Sequence, residues 1–87
     1  MRFAVAKKTR KEPKVSGLLG LGLDSEDGQQ RITKADDVTL VGGSAETHER
    51  MQDVAIRFNE SLQNRGKRLQ DASLPEVFDL LQRAIDR

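Results

Sequence analysis

Residues 42–65 read GGSAETHERMQDVAIRFNESLQNR, and the fold turns on how this stretch is read. Met51, Val54, Ala55, Phe58 and Leu62 recur at i, i+3, i+4, i+7 and i+11. At about 100° per residue they form one apolar stripe, the pattern of a helix packed on a core. The helix is expected over 45–65. Ser44 is its N-cap, because a hydroxyl oxygen can accept from an orphan N–H of the first turn. Glu46 and Glu49 place negative charge at the positive end of the helix dipole. Gly66 is the stop, since glycine enters the left-handed region without a Cβ clash. Glu46–Arg50 and Asp53–Arg57 are spaced to pair one turn apart. Ile56 breaks the pattern. It lies roughly 140° around the helix from Met51, among Glu49, Gln52, Glu60 and Gln63.

Upstream of this stretch the sequence reads as strands. Val15, Leu19, Leu21 and Leu23 alternate, with Ser16, Leu18, Gly20 and Gly22 between them. This predicts a strand over 15–23 whose second face carries Leu18 among glycines. Gln30–Lys34 and Val38–Val41 read as two more short strands, and turn residues separate all three. Downstream, Ser73-Leu74-Pro75-Glu76 has the form of a capping box, with Ser at the N-cap, Pro in the first turn and Glu three places on. Leu74, Val77, Phe78, Leu81 and Ile85 then predict a second amphipathic helix, its stripe widened by Leu80 and Ala84. The expected fold is α+β: a small three-stranded, mostly antiparallel sheet followed by two amphipathic helices, both on one sheet face (β-β-β-α-α).

Eighty-seven residues allow one domain with a small core. The net charge of +1 conceals an uneven distribution. Residues 1–14 carry six Lys or Arg against one Glu, and residues 15–87 carry nine against thirteen Asp or Glu. Residues 1–14 read as a basic, flexible arm with room for a short strand at Arg2–Ala6, and residues 15–87 as the domain. With no cysteine, the chain has no disulfide and no thiolate metal site. Its apolar runs are too short for a membrane span. The expectation is a soluble, cytoplasmic protein.

Three places invite function. The strand-to-helix turn Gly42-Gly43-Ser44, with His48 one turn on, is a candidate anion site, because glycines admit a ligand and a helix start offers free N–H groups. The same turn can equally be a tight connection, with His48 a boundary residue of the helix. Lys7, Lys8, Arg10 and Lys11 form a candidate polyanion contact of the salt-sensitive, sequence-independent kind. With no Trp or Tyr, the chain lacks the stacking platforms that single-stranded nucleic acid requires. Ile56 and Leu18 are candidate interface residues. Asp24–Gly28 resembles a calcium loop only superficially, because Gln29 stands where the loop needs glycine. No catalytic residue, metal or cofactor is implied. The expected function is a small non-catalytic binding or interaction module, acting as a homodimer or as an accessory to a larger protein. The alternative is a phosphate- or nucleic-acid-binding module using the Gly42–Ser44 turn and the basic arm.

Overall fold

The structure is a computed structural model and describes residues 1–7, 15–24, 30–35 and 37–86. These form four strands and two α-helices: β1 (Arg2–Lys7), β2 (Val15–Gly22), β3 (Ile32–Lys34), β4 (Val38–Gly42), α1 (Ala45–Asn64) and α2 (Leu74–Ile85), with a single 3-10 turn at Leu69–Asp71. The α+β class agrees with the sequence reading; the sheet differs from it.

The sheet is mixed and runs in the order β1-β2-β4-β3. β1 pairs antiparallel with β2, β4 pairs parallel with β2, and β3 pairs antiparallel with β4. A three-stranded meander is therefore not what forms. β4 lies between β2 and β3 instead of beyond β3. The length of the connection after β2 permits this order. Antiparallel neighbours need a turn of only two to five residues. The segment after β2 is longer, and it carries the chain two strand spacings across, roughly 10 Å, leaving a slot that β4 enters. Residues 2–7, the first half of the stretch read as an arm, form the edge strand β1. Residues 8–14 lie outside the described residues.

Register decides which side chains meet the helices. Ala6 pairs with Gly17 and Lys7 with Val15, so Ser16 is an extra residue in a β-bulge, and its Oγ donates to the Ala6 carbonyl at 3.1 Å. The bulge brings Val15 into phase with Leu18 and Gly20, and all three are buried. Leu18, read as an exposed spot on a second face, is thus 2% exposed and belongs to the core. Leu19, Leu21, Val41 and Ile32 take the opposite, outer face, where Ile32 is 58% exposed.

Met51, Val54, Ala55, Phe58 and Leu62 of α1 all pack inward, against Val15, Leu18, Val38 and Leu40 of the sheet. Gly20 makes that approach close. A Cβ there would stand 2.6 Å from Leu40 Cδ2 and 3.3 Å from Met51 Sδ. Each large side chain so buried contributes about 1.5–3 kcal/mol. The helix ends as expected. Gly66, at φ 66°, donates to Gln63 O at 2.9 Å, and Lys67 donates to Leu62 O at 3.0 Å, a Schellman arrangement. Arg57 does not pair with Asp53; its Nε and Nη2 donate to the Ala84 carbonyl of α2 at 3.0 and 2.8 Å.

α2 is rotated from its predicted orientation. Val77, Leu80, Leu81 and Ala84 are buried, while Phe78 is 54% exposed and Ile85 stands at the surface. Ser73 Oγ accepts from Glu76 N at 3.3 Å, as a cap should. The reciprocal half of the capping box is replaced, since the Glu76 carboxylate accepts from Arg65 at 3.0 Å and Lys67 at 2.8 Å. Leu69 and Ala72 in the intervening turn close the end of the core.

Candidate functional site

The parallel strands β2 and β4 end side by side, with Gly22 opposite Gly42. Here the backbones nearly touch. A Cβ on Gly22 would lie 2.5 Å from Gly43 Cα. Gly42 and Gly43 adopt φ of 78° and 86°, a region that side chains with a Cβ resist. Two glycines are thus needed for the turn itself and one for the approach of its neighbour.

This crossing brings Asp24, two residues past β2, over the first turn of α1. Its Oδ1 accepts from Ser44 N at 3.1 Å, and its Oδ2 accepts from Ser44 Oγ at 3.1 Å and Thr47 Oγ1 at 2.6 Å. Ser44 Oγ in turn accepts from Thr47 N at 3.2 Å. The predicted cap is present, and the carboxylate caps the cap. The Thr47 hydroxyl and then the Ser44 amide hold the Asp24 carboxyl well below its ordinary range, at about 2. The place where an external anion was expected is therefore taken by an anion of the chain itself. A phosphate would have to displace Asp24 and then lie beside Glu46.

His48 is 7% exposed and fixed at both nitrogens. The Gly42 carbonyl, 2.9 Å from Nδ1, is an acceptor only, so Nδ1 carries the proton. In the neutral ring Nε2 then accepts from Thr33 Oγ1 at 2.8 Å, and Thr33 Oγ1 accepts from Gln52 Nε2 at 3.0 Å. Arg31 Nη1 donates to Gly43 O at 3.2 Å. His48 thus ties α1 to both β3 and the glycine turn. Its ring and the Ser44 hydroxyl have separate partners, so no Ser44–His48 pair forms. Asp24 was read only as the start of a superficially calcium-like turn and Gln52 only as a neighbour of Ile56, and Thr33 and Thr47 were not singled out as site residues. Apart from the local bond between Thr47 N and Ser44 Oγ, their partners lie 15 to 23 residues away.

The remaining sequence candidates divide. Lys7 ends β1, and Lys8, Arg10 and Lys11 lie outside the described residues. The Asp24–Gly28 turn is described only at Asp24, whose carboxylate is engaged by α1. Among the described residues no group of three His, Asp or Glu is placed to hold a metal, and no helix is long and apolar enough to cross a membrane.

Ile56 is 56% exposed and stands on the wall of a groove of about 400 Å³ between α1 and the β3–β4 edge of the sheet. Thr33, Val38 and Leu40 line its sheet side, and Glu49, Asp53 and Ile56 its helix side. Val38 and Leu40 are themselves buried, so the groove has an apolar floor. Among the described residues no cation pairs with Glu49 or Asp53. The arrangement offers a surface for contact, whereas the polar cluster at the glycine turn is closed on itself. No protein-family model, curated protein or solved structure gives a match to this chain.

Proposed function

We propose that this chain is a non-catalytic interaction module, acting as a homodimer or as an accessory to a larger protein. The observation that carries the reading is Ile56, an isoleucine held outward beside an apolar-floored groove while the other large apolar residues of α1 are buried. A lone exposed isoleucine is ordinary. One that borders a groove with a buried apolar floor marks a surface that a partner can cover. The titratable groups near the glycine turn support the same reading from the other side. Asp24 and His48 are held by partners within the fold, which leaves neither of them a free position to act on a substrate.

Two measurements test the reading together. Light scattering at micromolar and tenfold lower concentration, on wild type and Ile56→Glu, reports self-association through this face. A thermal-shift panel of nucleotides and sugar phosphates reports small-molecule binding, which raises the melting temperature of whatever it binds. The module reading expects no shift with the panel. A saturable rise with one defined small molecule would replace it with an enzyme or ligand-binding reading. The polyanion alternative now rests on the charge of residues 1–14 rather than on the glycine turn. It predicts RNA or heparin binding that falls steeply between low and physiological salt.

A further inference from the structure

The geometry points to the occupant of the α1–β3 groove: an extended basic segment of a partner protein that adds a strand to β3 and sets two Lys or Arg, two residues apart, against Glu49 and Asp53. This rests on the interaction-module reading and specifies its partner.

Three observations converge on it. The first is the edge. Among the described residues, β3 has β4 on one side and no strand on the other. Gly42 N donates to Arg31 O, and Ala35 N donates to Val38 O. Alternation along an antiparallel pair then turns the backbone groups of Thr33 toward β4 and those of Ile32 and Lys34 outward. An incoming extended chain can bond to those two residues, the mode in which peptides augment a sheet. Every second side chain of such a strand points to the helix-bearing side, beside Thr33 and into the groove.

The second is charge. Glu49 and Asp53 rim the groove, and Glu60 lies further along the exposed side of α1. Two copies meeting by this face would set like charges against each other, which disfavours a two-fold contact here and favours a cationic partner. Lys and Arg also suit the floor. Their methylene stems can lie on Ile56, Val38 and Leu40 while their charged ends reach the carboxylates.

The third is spacing. Residues four apart on a helix are separated by about 6 Å along its axis. Same-face residues two apart on a strand are separated by about 6.6–6.8 Å. A strand running beside α1 therefore matches Glu49 and Asp53 with successive groove-facing positions, and its next groove-facing residue falls near Ile56. The segment is thus basic–x–basic–x–apolar, the apolar position lying beside Ile56.

The test uses the full chain and a fluorescein-labelled peptide, Thr-Lys-Thr-Lys-Thr-Val-Thr, followed by fluorescence anisotropy and amide chemical-shift mapping. Binding is expected with shifts concentrated at Lys34, Ala35, Gln52, Asp53 and Ile56. A peptide with Glu in place of both Lys should not bind, and one with its two Lys adjacent should bind several-fold more weakly. The double variant Glu49→Lys/Asp53→Lys should lose at least tenfold in affinity for the Lys peptide and acquire affinity for the Glu peptide. Glu60→Lys, which shifts the net charge in the same direction but outside the groove, should leave the order of the peptides unchanged. Thermal melts of the variants establish that each is folded, and all three positions are exposed. Equal binding of the Lys and Glu peptides, indifference to Lys spacing, or shifts confined to other surfaces would overturn the assignment. So would a wild-type dimer that Ile56→Glu dissociates and that binds no peptide. In that case the module reading survives with a second copy as the occupant. A small molecule that stabilises the protein, with no peptide binding and no dimer, removes both.

Discussion

The two helices begin in different ways. α2 starts on its own sequence: Ser73 accepts from Glu76 N, and Pro75 sits within the first turn. α1 starts on a serine too, but its cap is held from another part of the chain, by Asp24, two residues past β2. One start is local and the other tertiary. The difference shows that similar cap residues can carry unequal structural weight. Removing the α2 cap loosens a helix end. Removing the α1 cap also unties the helix from the end of the sheet, where β2, β4 and the glycine turn converge.

Substitutions can break this contrast at graded points. Gly22→Ala should act most strongly, because its new methyl meets the backbone of Gly43 rather than a movable side chain. A cost of about 3 kcal/mol is expected in chemical denaturation, at the upper end for overpacking. A loss below about 1 kcal/mol would mean that the strand ends separate easily and that Asp24 is not positioned by them. Ser44→Ala should come next, at about 2 kcal/mol, since the hydroxyl serves both Thr47 N and Asp24. Ser73→Ala should cost about 1 kcal/mol. Equal losses for the two serines would erase the distinction between a local and a tertiary cap.

The smallest effect is a dependence on pH. The Asp24 carboxyl titrates at about 2 in the fold, against an ordinary value of 3.8. A depressed folded value means that its stabilisation is complete above about pH 4 and disappears as the pH falls through about 2. The melting temperatures of wild type and Asp24→Asn should therefore differ most at pH 5 and converge toward pH 2. A gap that stays constant over that range would show that the Asp24 charge contributes nothing. Glu76, lowered first by its bond to Lys67 and then by Arg65, titrates in both proteins and cancels in the comparison.

Much of the helical structure was legible in the sequence because its determinants are local. The α1 stripe, the Ser44 and Ser73 caps and the Gly66 stop all depend on residues within one or two turns. What could not be read depends on distant partners. α2 carries two overlapping stripes about one residue apart in phase. Its packing, chiefly against α1, selects Val77, Leu80, Leu81 and Ala84 over the one containing Phe78 and Ile85. Strand alternation in β2 gave the wrong inward set because the bulge at Ser16 shifts the phase, which moves Leu18 from a surface candidate into the core. At the site, Ser44 and His48 were visible as candidates. Asp24, which fills the expected anion position, was hidden by its distance in sequence.

The insertion of β4 between β2 and β3 has a kinetic consequence. The β1–β2 and β3–β4 hairpins begin at pairs eight and five positions apart, Lys7–Val15 and Lys34–Thr39, whereas every pair across β2 and β4, such as Leu18 and Val38, is twenty positions apart. Loop-closure entropy makes the local pairs cheap and the parallel joint later. We expect two preformed hairpins to meet in the rate-limiting step. Leu18→Ala or Leu40→Ala should then slow refolding, while Ala84→Gly in α2 mainly speeds unfolding. Uniform φ-values across the three sites would refute that order. Before the joint closes, each hairpin presents an unpaired strand edge, which another molecule's hairpin can complete just as well. Refolding at high protein concentration should consequently produce dimers that have exchanged the β3–β4 hairpin, and dilution during refolding should suppress them.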